Sequence, residues 1–129
     1  MQELTHYIGG EHVKGTSGRF AYVYNPATGE VQAKVPLASA DEMAKAVEIA
    51  AEAQVAWEKV NPQRRARVMM KFVDLLNRDM DKLAEALSRE HGKTIPDAKG
   101  DVQRGLEVVE YCIGAPQMLK GEYTDSAGP

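Results

Sequence analysis

At Ser39 the spacing of the apolar residues changes. Before it, Tyr7-Ile8, His12-Val13, Phe20 to Tyr24 and Val31 to Val35 are short β-prone runs punctuated by glycine. After it, apolar residues recur every three or four positions as far as Ile113. A chain ordered this way is expected to be α+β: mostly α-helical, with short antiparallel strands at its N-terminus. Residues 1–37 are expected as strands and turns, 38–121 as a helical segment of three main helices, and 122–129 as a loose tail.

Local signals place the ends of these elements. Gly9-Gly10 is a hairpin turn, and NPATGE, Asn25 to Glu30, is a turn between two strand runs. Ser39 with Glu42 forms an S-x-x-E capping box that opens the first helix, whose stripe is Met43, Val47, Ala50, Ala53 or Gln54, Trp57 and Val60. Asn61-Pro62 stops it and starts a second run carrying Met69, Phe72, Val73, Leu76, Met80, Leu83 and Leu87. That run is long for one globular helix, so a break is expected at Asn77-Arg78-Asp79, with Asp79 or Asp81 recapping. His91-Gly92 closes it, glycine being the residue that turns left-handed past a helix end at little steric cost. A further helix opens between Thr94 and Asp97, with the stripe Ala98, Val102, Leu106, Val109 and Ile113, and Pro116 kinks or ends it.

A length of 129 residues is one domain's worth, enough to bury roughly two thirds of the unfolded surface. With 16 basic and 19 acidic side chains the net charge is −3, and neither sign forms a block suited to nucleic acid or a lipid surface. No apolar run is long enough for a membrane span, and MQELTHYIGG lacks the pattern of a signal peptide, so a cytoplasmic protein is expected.

Conventional catalytic patterns are missing: the sequence has no GxGxxG, P-loop, HExxH or G-x-S-x-G. His6, His12 and His91 are too scattered to share a metal, so no metal site is expected. Cys112 follows a core stripe and is expected to pack rather than react. Glu48 with Glu52, and Glu107 with Glu110, have the spacing of solvated helix faces. Arg64, Arg65 and Arg67 stand where the helix dipole disfavours cations, and solvation or ion pairs are expected to hold them. Arg104 points about 200° away from Val102 and Leu106, on a face shared with Gly100. A small anion could approach it there; the simpler alternative is a surface pair with Asp101 or Glu107.

Taken in order, YIGGEHV, NPATGEVQAKVP, the tryptophan of AQVAWEKV, RRARVMMKFVDLL and REHGKT resemble the start of an aldehyde dehydrogenase. GDVQRGLEVVEYCIGAPQMLKGE is similar to the CoA-acylating methylmalonate-semialdehyde dehydrogenase branch, in which a G-E/D-V-x-R-G helix and a G-A-P follow E-x-G-K. The resemblance implies part of an NAD-binding domain without its main parallel sheet. It also implies an enzyme that uses NAD and coenzyme A to convert methylmalonate or malonate semialdehyde to propionyl-CoA or acetyl-CoA through a cysteine thioester.

By the same resemblance the nucleophilic cysteine, the oxyanion asparagine and the NAD phosphate site lie beyond this chain, and Cys112 does not match the nucleophile's motif. No catalytic or cofactor-binding residue is therefore expected here, and neither NAD nor CoA is expected to bind the chain alone. One role does carry over: Arg104 stands where that branch has the arginine that pairs with the substrate carboxylate. The expected partners are a second copy or the remainder of the same enzyme, with no nucleic acid and no membrane. The alternatives are a non-catalytic helical interaction module, one half of a split enzyme, or part of a different aldehyde dehydrogenase branch.

Overall fold

In the computed structural model, which describes residues 1–123 and 125, ten elements follow in order. They are β1 (Gln2–Glu3), β2 (His6–Ile8), β3 (Glu11–Val13), β4 (Phe20–Tyr24), β5 (Val31–Pro36), α1 (Ala40–Trp57), α2 (Pro62–Arg78), α3 (Met80–His91), α4 (Ile95–Ile113) and α5 (Ala115–Met118). β2 and β3 form an antiparallel hairpin in which Gly9 and Gly10 both take positive φ, as a two-residue turn of this twist requires. The other sheet has the order β1-β5-β4. Its β4–β5 pair is antiparallel as expected, but β1 lies parallel to β5, pairing Gln2 with Ala33. Gln2–Glu3 carries no β-prone signal, and backbone bonding such as Leu4 N–H to the Lys34 carbonyl is what holds it.

The NPATGE stretch is a turn with internal closure. Asn25 Oδ1 accepts from the Ala27 amide at 2.9 Å, and the Gly29 amide donates to the Asn25 carbonyl at 2.8 Å. The turn also docks on the helices. Pro26 sits against Gly92 so closely that a Cβ on Gly92 would fall 2.8 Å from Pro26 Cγ. Beside it, Gln32 Nε2 donates to the Arg89 carbonyl at 3.0 Å.

Helix boundaries follow the capping chemistry. Ser39 and Glu42 cap each other's amides in a full capping box, Asn61 accepts from Gln63 N–H, and Thr94 accepts from Asp97 N–H. The long second run divides at Asp79, whose side chain makes no capping bond but pairs with Arg78 at 2.5 Å and Lys82 at 3.2 Å. With α3 distinct from α2, the helical part has four long helices and a short fifth. Gly92 ends α3 at φ +85°, and α5 begins after Gly114 with Pro116 in its first turn.

α4 lies against α2 and α3 and provides the core. Its stripe is covered as expected, with Ala98 0% and Leu106 2% exposed. Opposite it the tightest positions are Ala66 and Ala84, the latter 0% exposed, rather than the large residues of that run; Phe72 and Leu83 face outward. Small side chains at the crossings let the helix axes approach closely.

α1 leaves much of its apolar stripe uncovered. Its covered face is Glu42, Ala46 and Ile49, turned toward the β2–β3 hairpin at Gly9, while Met43 (62% exposed) and Val47 (57%) point outward. The helix is alanine-rich and apolar on both sides, as helices meant to be covered on both sides are. Among the described residues the side bearing Ile49 meets the β2–β3 hairpin, while Met43 and Val47 on the other side stay exposed.

The burial expected of a compact chain is correspondingly not reached. A compact 14.1 kDa protein exposes about 6,700 Å² by the usual scaling, whereas this chain exposes 10,041 Å². Exposed apolar residues such as Met43, Val47, Val55 and Val108 contribute to that excess.

Candidate functional site

Arg104 is placed by a well-anchored helix. The Thr94 cap starts α4, Lys99 bridges to Asp81 of α3 at 2.5 Å, and Leu106 seats the opposite face in the core. Arg104 therefore projects from the exposed side of α4, as the helical arithmetic requires.

Among the described residues Arg104 makes no ion pair. Neither surface pair, with Asp101 or with Glu107, is formed among the described residues; Asp101 instead pairs with Lys93, whose hydrogen bond holds the Asp101 carboxyl below its ordinary range. Nor do Gly100 and Gly105 serve close helix packing here, since a Cβ at either would meet nothing within 4 Å. The face around Arg104 is open, with an unspent planar fork of donors suited to a carboxylate.

Cys112 is exposed rather than packed, contrary to expectation. The core stripe turns inward at Val109 and Ile113, and Cys112, one residue from Ile113, falls on the rim of a groove of about 200 Å³ between α2 and α5. Arg65 and Trp57 line the same groove. Arg65, expected to be solvated or ion-paired, instead has an enclosed Nε with no hydrogen-bond partner among the described residues. Only its position at the start of α2 pointed that way, and spacing gave no sign of the burial.

The histidines do not converge. His12 Nδ1 lies 2.9 Å from Thr5 Oγ1, while His91 ends α3, and among the described residues no cluster of three metal-binding side chains exists. Of the carboxylates, Glu48 pairs with Lys45 at 2.6 Å on the surface of α1.

The dinucleotide implied by the resemblance can be tested against the β5–α1 junction, the one place among the described residues where a strand leads into a helix. A phosphate at such a junction needs unspent helix amides. At this junction the Glu42 carboxylate lies beside the helix start: it accepts from Ser39 N–H at 2.8 Å and from Thr16 N–H at 2.6 Å. Those backbone hydrogen bonds, Ser39 first, lower its pKa to about 2. That carboxylate places negative charge at the junction, and no step of chemistry is assigned to a nucleotide there.

Known proteins supply the context for these open faces. Residues 12–128 match the model of the aldehyde dehydrogenase family. The whole chain is 45% identical to malonate-semialdehyde dehydrogenase of Pseudomonas aeruginosa, of which it spans 26%. It superposes with a TM-score of 0.94 and 62% identity on a provisionally assigned methylmalonate-semialdehyde dehydrogenase from Sinorhizobium meliloti 1021, complexed with NAD, covering 26% of that chain. With methylmalonate-semialdehyde dehydrogenase from Oceanimonas doudoroffii the TM-score is 0.93 and the identity 41%, again over 26% of the longer chain. The chain thus spans about a quarter of the length of these relatives, and the quarter it matches is the N-terminal part of the fold. The chain belongs to the aldehyde dehydrogenase family.

Proposed function

We propose that these residues act as the N-terminal quarter of a cytoplasmic, NAD-dependent, CoA-acylating dehydrogenase of methylmalonate or malonate semialdehyde, and that they do not catalyse this reaction alone. The observation that carries this reading is the alignment of the entire chain with semialdehyde dehydrogenases about four times its length. NAD and CoA belong to the assembled enzyme, and this chain by itself binds neither.

In the assembled enzyme Arg104 receives the carboxylate of the semialdehyde. Its open face, its unspent donors and the absence of side chains at Gly100 and Gly105 support that role. The uncovered side of α1 makes the remainder of the enzyme, or a second copy, the natural partner. The test is steady-state kinetics of Arg104→Ala in an intact enzyme carrying this segment: KM for malonate semialdehyde should rise about tenfold or more, as expected for a lost charge-assisted hydrogen bond. An unchanged KM would remove Arg104 from the site.

A further inference from the structure

The sequence spreads its basic residues without forming a block, but the fold gathers three of them. The loop between β3 and β4 brings Lys14 and Arg19, and β5 brings Lys34, to the rim of one recess of about 430 Å³. Glu3, Phe20 and Pro36 complete its lining. Against three cations stands the single carboxylate of Glu3, and among the described residues neither Lys14 nor Lys34 forms an ion pair. Arg19 spends one Nη on the Ala38 carbonyl, 2.7 Å away, and that bond fixes its guanidinium at the rim.

The shape of the recess depends on a glycine. A Cβ at Gly15 would fall 2.7 Å from Pro36 Cβ, so the loop carrying Lys14 approaches the sheet as only glycine permits. Concentrating like charges without a counter-charge raises the local potential for anions. The one aromatic ring in the lining, Phe20, already has Lys34 Nζ 4.0 Å over it and packs T-shaped with Tyr22, which disfavours stacking of a base.

We propose that this recess binds a compact multivalent anion, of the pyrophosphate or polycarboxylate kind, between Lys14, Arg19 and Lys34. Charge and size select the ligand, with no contribution from a nucleobase. The site is separate from Arg104 and does not depend on the enzymatic reading above.

The test is calorimetric titration of the 129-residue chain at low ionic strength with pyrophosphate, and in parallel with citrate and ADP. Pyrophosphate should saturate one site, and citrate should do likewise, because both carry the shared chemistry. Lys14→Gln and Lys34→Gln should each weaken binding about two- to fivefold, the range for exposed charge pairs, and Glu3→Gln should tighten it by a similar factor. The gain in Glu3→Gln separates a charge effect from damage to the fold, which would weaken binding instead. Lys71→Gln, on an exposed position of α2, should change nothing. The proposal is overturned by an absence of saturation at about 10 mM pyrophosphate. It is equally overturned by affinities indifferent to Lys14, Lys34 and Glu3, or by ADP binding far more tightly than pyrophosphate.

Discussion

Replacing Gly92 with alanine tests how the strands are joined to the helices. Gly92 has φ +85°, where an alanine costs about 1–2 kcal/mol. The new methyl would also stand 2.8 Å from Pro26 Cγ and 3.3 Å from Pro26 Cβ, a clash relieved only by moving the NPATGE turn off the end of α3. Overpacking of that kind costs about 1–3 kcal/mol, so Gly92→Ala should destabilise the chain by about 2–5 kcal/mol in total. Urea titration followed by far-ultraviolet circular dichroism measures the loss.

The second arm is the double variant. Pro26→Ala removes Cγ and leaves only the 3.3 Å approach, so it should recover about 1 kcal/mol or more of the Gly92→Ala loss. On its own Pro26→Ala should cost less than about 1 kcal/mol, mainly through the added freedom of the unfolded chain. A Gly92→Ala cost below about 0.5 kcal/mol, or strict additivity with Pro26→Ala, would refute the docking of this turn on α3.

Other outcomes follow from single sites. Leu106→Ala empties the one large side chain among the buried residues, and should cost about 2–5 kcal/mol in the same urea assay. The Glu42 carboxylate has its pKa lowered from 4.5 to about 2, so its stabilising contribution is complete above about pH 4.5 and is lost as the pH falls toward 2. Glu42→Gln should flatten the dependence of stability on pH across that window, and an unaltered profile would show that the capping box does not titrate as described. Cys112 is exposed, so a thiol-reactive dye should label it fully in the native chain, whereas labelling that needs denaturant would contradict its placement. Met43→Glu and Val47→Glu on the uncovered face of α1 should abolish concentration-dependent association in sedimentation velocity, if a second copy covers that face.

What could be read from the sequence tracks which partners lie within it. The stripe of α4 was legible because the helices it faces, α2 and α3, belong to the same chain. The caps at Ser39, Asn61 and Thr94 and the stop at Gly92 were legible because capping is chemistry between near neighbours. In α1 periodicity marks the stripe of Met43 and Val47 without showing what covers it: Ile49 meets the hairpin at Gly9, while Met43 and Val47 are exposed. The β1–β5 pairing has no sequence signal because strand propensity plays little part in it.

The sites divide in the same way. Arg104 could be placed on an open helix face by angle alone, and its proposed role came from the family motif around it. The enclosed Arg65 Nε and the meeting of Lys14, Arg19 and Lys34 could not be foreseen, since each depends on how distant segments fold together. The tail expected to be loose falls partly outside the described residues, at 124 and 126–129.

The decisive assay is NADH formation from malonate semialdehyde, NAD and CoA. It should be run with the purified 129-residue chain alone, then with the remaining three quarters of a close relative supplied as a separate polypeptide. No NADH from the chain alone, with turnover appearing on mixing and weakened by Arg104→Ala, is the expected result. Turnover by these residues alone would contradict their reading as one part of a larger enzyme.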